Sequence, residues 1–345
     1  MAEGKGAGIA AGVAAGVLSA GYSGLKALAW ADRRRHNVSP AMLDDAMTDL
    51  REPSAARHRT IESHDGGRIH VVEHGDPSHP PIVLLHGVTL AASIWNHQLG
   101  DLSDRHRVVA FDWRGHGRST PGTAGYGLDA LADDLARVLE TLDLTRAVLV
   151  GHSMGGMAMM HFCRRNPQTL YRRAVGLVFQ STAASDVASG PASGVFRLGR
   201  VFANRQPELA GKLYQAVPGD LGYAGARLGF GRSPSPLWIE QTRTLLTAMS
   251  PTAIARSTLA LLDHDERKVL ASLELPALVL VGSSDLVTPP RQARDIAERI
   301  SGARLHEFDD AGHLLMLERR KDLAGELMAF AEHCLPRPAR RPARR

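Results

Sequence analysis

A serine lies inside a short motif whose two glycines bracket it. The motif reads Gly151-His152-Ser153-Met154-Gly155 and fits the pattern G-x-S-x-G. A strand-like apolar run, residues 147–150, precedes it, and a helix-like run from 154 to about 162 follows. On such a turn a serine hydroxyl is exposed, and the start of the helix favours negative charge. Both glycines are required because a side chain at either position would collide across the turn. The sequence therefore predicts that Ser153 is a nucleophile.

A carboxylate and a histidine follow later strands, in the order serine, acid, histidine. Asp285 comes after the apolar run 277–281, and His313 comes after the strand predicted to end at Phe308. A histidine can accept the serine proton, and a carboxylate can hold the histidine ring in the required tautomer. Three other carboxylates remain as alternative partners: Asp186, Asp309 and Asp310. We prefer Asp285, because the last two lie too near the histidine in sequence to approach its ring from behind.

Two backbone N–H groups are expected to stabilise the negative charge on the reacting oxygen. One should belong to Met154, the residue after the nucleophile. The other should come from the loop after the predicted strand 81–85, where Val88 is the candidate. Gly87 would permit the backbone turn that this loop needs. His86 is interpreted as a structural hydrogen-bonding residue rather than a second base.

The elements that must position these residues alternate between short apolar strands and helical patterns. This alternation predicts an α/β fold with a mostly parallel, doubly wound sheet covered by helices on both faces. The predicted strands are a hairpin over 60–75, followed by 81–85, 107–113, 147–150, 174–179, 277–281 and 303–308. The helices expected with most regular patterning are 128–142 and 314–333.

Between residues 181 and 275 the alternation stops. This region is rich in Gly, Ser, Pro and Arg and carries scattered apolar pairs, which predicts short helices and turns. An insertion at the carboxyl edge of a sheet is a natural cap over a site. We therefore divide the 345 residues into five segments. They are a leader, 1–36; a first core part, 37–180; a helical cap insertion, 181–275; a second core part, 276–335; and a tail, 336–345.

The leader contains an uncharged run, residues 6–25, made mostly of Gly and Ala. Its length allows a membrane span, but Gly and Ala insert poorly compared with Leu, Ile or Phe. Three alternatives remain open: weak membrane association through residues 6–31, a soluble leader, or a cleaved signal peptide. If the run spans a membrane, the following cluster Arg33–Arg35 should keep the catalytic side cytoplasmic. The expected location is cytoplasmic or membrane-associated.

The formal net charge of +5 has a local origin. Five arginines and no acids lie in the tail, 336–345, so the remainder is near neutral. Prolines interrupt this run, which predicts a disordered, solvated end rather than a nucleic-acid-binding face. The two cysteines cannot form a disulfide framework.

Together these motifs resemble the α/β-hydrolase fold superfamily over roughly residues 60–334. The matching pieces are His86-Gly87 with Trp95, the stretch Asp112 to Ser119, Gly151 to Gly156, Gly282 to Asp285, and Gly312-His313. The resemblance implies a catalytic triad of Ser153, Asp285 and His313, with Val88 and Met154 as oxyanion donors. It also implies that Asp112 to Ser119 is a structural turn near the pocket, and it implies no metal or organic cofactor.

The Gly-His-Ser-Met-Gly-Gly form is similar to that of monoacylglycerol lipases and carboxylesterases. It also resembles cofactor-free perhydrolases and hydrolases that cleave C–C bonds, although 88–92 replaces the glycine-rich stretch common in the latter. A serine nucleophile disfavours dehalogenases and epoxide hydrolases, whose family nucleophile is Asp. We expect hydrolysis of small-molecule carboxylic esters with an apolar acyl chain through an acyl-enzyme. The alternatives are acyl transfer, C–C hydrolysis and, disfavoured by the complete set of three groups, a non-catalytic binding protein.

Overall fold

The structure is a computed structural model that describes residues 50–187, 200–216 and 219–335, together with 30, 31, 34 and 47. The predicted tail and nearly all of the predicted leader lie outside these residues, as does the run 6–25 on which the membrane prediction depends. Within the described part of the chain, no helix is both long and apolar enough to cross a membrane.

Eight strands form one sheet in the order β1-β2-β4-β3-β5-β6-β7-β8. The strands are β1 (Arg57–Glu62), β2 (Arg68–His74), β3 (Pro81–Leu85), β4 (Arg107–Phe111), β5 (Ala147–His152), β6 (Ala174–Gln180), β7 (Ala277–Gly282) and β8 (Arg304–Phe308). The pairs β1–β2 and β2–β4 are antiparallel, and the remaining pairs are parallel. The predicted mostly parallel sheet is confirmed.

Helices connect the strands and cover the sheet. They are α1 (Asn96–Asp101), α2 (Leu128–Thr141), α3 (Met154–Arg165), α4 (Pro167–Arg173), α5 (Pro207–Gln215), α6 (Gly219–Arg227), α7 (Pro236–Ala248), α8 (Pro251–Ala260), α9 (Arg267–Leu270), α10 (Pro290–Arg299), α11 (Leu315–Glu318) and α12 (Arg320–Cys334). Helices α5 to α9 lie between β6 and β7, in the segment for which short helices were expected.

The sheet separates two hydrophobic cores. On β5, Leu149 faces the core built with α2, α3 and α10, whereas Val148 and Val150 face the core built with α1, α11 and α12. Such alternation follows from the period of two along a strand. Both faces are covered, so the central strands are mostly apolar, and β3 and β5 are buried at every position.

The helix expected over 314–333 is in fact two helices, α11 and α12, and the prediction of one continuous helix was wrong. The break falls at Arg319, whose backbone is non-helical at φ −130° and ψ 39°. Its neighbour Glu318 points its carboxylate at two backbone N–H groups of other loops, those of Gly231 and Gly312. The break therefore lies beside a residue, Glu318, that is hydrogen-bonded to other loops. The apolar periodicity of the segment does not reveal it.

Candidate active site

Ser153 occupies the sharp turn between β5 and α3. Its backbone is at φ 52° and ψ −119°, a region that a non-glycine residue adopts only under strain. The flanking glycines allow this turn. A methyl group added at Gly151 would lie 2.6 Å from the Gly156 Cα, and one added at Gly155 would lie 2.5 Å from the Leu85 carbonyl oxygen. The elbow therefore packs directly against the end of β3.

His313 and Asp285 are hydrogen-bonded to each other beyond the ends of β8 and β7. The His313 Nδ1 lies 2.9 Å from the Asp285 Oδ2, and both side chains are buried. The other carboxylate oxygen of Asp285 accepts the N–H groups of Val287 and Thr288 at 2.8 and 2.9 Å. Burial by itself raises the pKa of Asp285, but His313 and the bonds from Thr288 outweigh it, so the pKa lies below its ordinary value.

The other carboxylates considered from the sequence lie elsewhere. Asp186 is exposed and faces Arg267 at 3.7 Å, whereas Asp310 pairs with Arg232 at 3.3 Å. Asp309 is also exposed, and its backbone carbonyl accepts from Arg319. Of the four carboxylates, Asp285 is the one that contacts the His313 ring.

One cavity of about 380 Å³ brings Ser153 and His313 together. Its walls come from the loop after β3, from α5 to α8 and from the loop after β7. The lining is mostly apolar, and includes Val88, Leu90, Ala226, Leu246, Val287 and Leu314. Both residues face this space, and no hydrogen bond joins the Ser153 hydroxyl to the His313 ring in the described structure.

The loop after β3 approaches the serine closely at Gly87. A methyl group added there would lie 2.9 Å from the His152 Nδ1 and 3.1 Å from the Ser153 Cβ. Val88, the next residue, lines the cavity, and Met154, which directly follows the serine, is buried at the start of α3. Both residues named from the sequence as oxyanion donors are therefore near Ser153, and their role stays a prediction.

His86 is fully buried and held by backbone groups. Its Nδ1 donates to the Gly87 carbonyl at 2.8 Å, and its Nε2 accepts the Trp113 N–H at 3.0 Å. Burial lowers the pKa of His86 to about 4. A neutral ring with both nitrogens engaged fits the structural part expected of this residue. Asp112 anchors the same region by accepting the N–H groups of Ala92 and Arg118.

His152 belongs to the site, although sequence reasoning treated it only as a variable position of the motif. Its Nε2 lies 3.0 Å from the His313 carbonyl oxygen. Because a carbonyl only accepts, Nε2 carries the proton and Nδ1 keeps a lone pair. Burial and the neighbouring His313 ring hold the pKa of His152 well below its ordinary value. The one signal in the sequence for a role of His152 is its position directly before Ser153.

The loop that carries His313 is tied to the segment between β6 and β7. The His313 N–H donates to the Gly229 carbonyl at 2.8 Å. Glu318 accepts the N–H groups of Gly231 and Gly312 with its two carboxylate oxygens, at 2.7 and 3.0 Å. These contacts fix the backbone on either side of the cavity. Among the described residues, no group of three His, Cys, Asp or Glu side chains is arranged to bind a metal ion.

The family model for the alpha/beta hydrolase fold matches residues 80–320, and the chain belongs to this family. It is 29% identical over 255 residues to the AB hydrolase superfamily protein YisY of Bacillus subtilis, covering 73% of this chain and 91% of that protein. It is also 29% identical over 279 residues to the bifunctional esterase/perhydrolase DCH of Acinetobacter calcoaceticus, covering 78% and 98%. A solved thermophilic esterase from Thermogutta terrifontis aligns with a TM-score of 0.68 at 26% identity, covering 81% and 99%.

Proposed function

We propose that this protein is a serine hydrolase that cleaves carboxylic esters through an acyl-enzyme. One observation carries the proposal: a strained serine at the start of a helix shares a cavity with a histidine whose Nδ1 is bonded to a buried carboxylate. A serine hydroxyl is a poor nucleophile without a base, and a histidine oriented by a carboxylate is the usual one. Membership of the family and the esterase among its solved neighbours support the same chemistry.

The reaction follows from these positions. The Ser153 oxygen attacks the ester carbonyl while the His313 Nε2 takes the hydroxyl proton. The N–H groups of Val88 and Met154 stabilise the resulting oxyanion. His313 then gives the proton to the leaving alcohol, which releases the acyl-enzyme. Water repeats the cycle: His313 takes one of its protons, its oxygen attacks the acyl carbonyl, and the proton returns to Ser153 as the acid leaves. Asp285 stabilises the imidazolium at each stage.

The cavity favours an ester with an apolar acyl chain. A volume of about 380 Å³ with a mostly apolar lining suits a small lipophilic substrate. Arg243 in the cavity wall is paired with Glu240 at 2.7 Å. The positive charge of this arginine is therefore neutralised by the carboxylate. We assign the segment 181–275 the part of a cap over this cavity, since its helices α5 to α8 supply much of the wall.

A second candidate is transfer of the acyl group to a peroxide or alcohol instead of water. The relative from Acinetobacter calcoaceticus, named a bifunctional esterase/perhydrolase, supports it. Both reactions pass through the same acyl-enzyme and differ only in the acceptor. Product analysis with and without added hydrogen peroxide or methanol separates them, because transfer yields a peracid or a methyl ester in place of the free acid.

The decisive experiment combines a panel of p-nitrophenyl esters of increasing acyl length with labelling by a fluorophosphonate. Ser153→Ala is expected to lose both turnover and labelling. Ser181→Ala is the matched control, because Ser181 follows the neighbouring strand, is equally buried, and has a hydroxyl without a hydrogen-bond partner. Wild-type turnover by Ser153→Ala would refute the proposal. A wild-type protein that neither turns over any ester nor takes the label would instead be a non-catalytic binding protein.

A further inference from the structure

Thr288 lies beside the bond that joins Asp285 and His313. Its hydroxyl oxygen is 3.0 Å from the Asp285 Oδ2 and 3.2 Å from the His313 Nδ1. Since Oδ2 and Nδ1 are themselves 2.9 Å apart, the three atoms form a closed triangle. Thr288 is only 3% exposed, so water does not compete for these contacts.

A single arrangement of protons satisfies all three contacts of the triangle. An ionised carboxylate only accepts, so the Thr288 hydroxyl donates its proton to the Asp285 Oδ2. The Nδ1–H of His313 also donates to Oδ2, and the lone pair on the threonine oxygen faces that same N–H. Each atom thus has a partner without any change of protonation. The Thr288 backbone N–H adds a further bond, to Oδ1 of the same carboxylate.

We propose that Thr288 is a positioning residue for the reaction. Its hydroxyl holds the Asp285 carboxylate and the His313 ring in the orientation that their mutual hydrogen bond requires. The proposal rests on the ester hydrolysis proposed above. When His313 takes the serine proton, its Nδ1–H becomes part of a cation. The carboxylate and the threonine lone pair then both face that positive charge, and hydrogen bonds to charged groups are the strong ones.

If Thr288 acts by packing, its variants should rank differently in activity than if it acts by hydrogen bonding. Valine has nearly the shape of threonine but no hydroxyl, whereas serine keeps the hydroxyl and loses a methyl group. If Thr288 serves only to fill space, Thr288→Val should be the milder change. If the hydroxyl positions the pair, Thr288→Ser should be the milder change. The two substitutions therefore rank in opposite orders under the two explanations.

The test measures kcat and KM for a p-nitrophenyl ester with the wild type and both variants, after thermal unfolding has verified that each folds. Thr288→Val is expected to lower kcat about tenfold, because it loses the bond donated to the charged carboxylate and the contact with His313 Nδ1, and to leave KM within about twofold. KM is spared because Thr288 does not line the cavity. Thr288→Ser is expected to stay within about threefold of the wild-type kcat. Equal kcat in the wild type and Thr288→Val, or Thr288→Ser as impaired as Thr288→Val, would overturn the proposal.

A second readout does not require ester turnover. The Nδ1–H proton of His313 gives a low-field proton resonance when it is held in a strong hydrogen bond, and this signal can be assigned by its loss in Asp285→Asn. Thr288→Val should shift it, whereas Thr288→Ser should leave it near the wild-type position. A resonance that stays at the wild-type position in both variants would overturn the positioning role. A wild-type protein without esterase activity would refute the proposed function, and the resonance would still decide the part played by Thr288.

Discussion

The His152 ring donates its Nε2–H to the backbone carbonyl of His313 at 3.0 Å. The two rings are tilted against each other with their centroids 4.7 Å apart. The residue before the candidate nucleophile therefore holds the backbone of the candidate base. Because His152 ends β5 and His313 follows β8, this single bond joins the end of one strand to a loop that is far away in sequence.

We expect His152→Phe to lower kcat for ester hydrolysis about tenfold with little change in KM, because it keeps a ring but loses the donor to His313. His152→Gln places an amide N–H near the position of Nε2 and should restore most of the loss. Asparagine is too short to reach the carbonyl, so His152→Asn should resemble phenylalanine. Steady-state kinetics on the three variants test this, and equal activity in all of them would contradict it.

Glu318 should stabilise the loop that carries the candidate base. Glu318→Ala leaves the N–H groups of Gly231 and Gly312 without their acceptor, which we expect to lower the free energy of unfolding by about 2 kcal/mol. The control is Glu332→Ala, which removes an exposed pair with Arg105 and should cost less than about 1 kcal/mol. Urea unfolding measures both. A Glu318→Ala protein as stable as the control would show that these bonds contribute little.

The turn at Ser153 should not tolerate a side chain at Gly155. A methyl group there meets the Leu85 carbonyl at 2.5 Å, so Gly155→Ala should cost about 1–3 kcal/mol of stability and abolish fluorophosphonate labelling. Gly325, in the middle of α12, offers the matched control, because a methyl group there meets nothing within 4 Å. Gly325→Ala should be neutral or stabilising by up to about 1 kcal/mol. The prediction fails if Gly155→Ala melts at or above the temperature of Gly325→Ala.

Stability should fall as the pH is lowered from 6.5 towards 4. Burial lowers the pKa of His86 and His264 to about 4 and that of His116 to about 3, against an ordinary value of 6.5. In this pH range these histidines are protonated in the unfolded chain but stay neutral in the folded protein. The free energy of unfolding therefore drops with falling pH, by up to about 1.4 kcal/mol per pH unit for each histidine, and levels off below the folded pKa values.

Urea unfolding between pH 7 and 4.5 measures this slope. The variant His116→Asn keeps a donor for the Arg114 carbonyl, which His116 now serves through Nδ1, but cannot titrate. Its slope should be shallower by the contribution of one proton. A slope identical to that of the wild type would mean that His116 is not forced to stay neutral in the folded protein.

The sequence was most informative where one strand or motif determined the local structure. The apolar runs predicted β3, β5, β6 and β7 to within two residues at each end, because buried parallel strands are apolar throughout. Asp285 and His313 were each predicted to follow a strand, and the structure pairs these two strands, β7 and β8, which brings the side chains together. Contacts that cross between distant loops carry no local pattern. The bonds that join His152 and Thr288 to His313, and Glu318 to Gly231, are of that kind. The break between α11 and α12 likewise has no signal in the apolar pattern.

The order of the strands along the chain has a consequence for the order in which the site is synthesised. Ser153 directly follows a central strand made from the first half of the chain, whereas Asp285 and His313 follow β7 and β8, the last two strands of the sheet along the chain. A nascent polypeptide therefore displays the serine long before its partners have left the ribosome. A chain released before residue 285 lacks both members of the hydrogen-bonded pair, so the mechanism proposed above predicts that such a product does not hydrolyse esters.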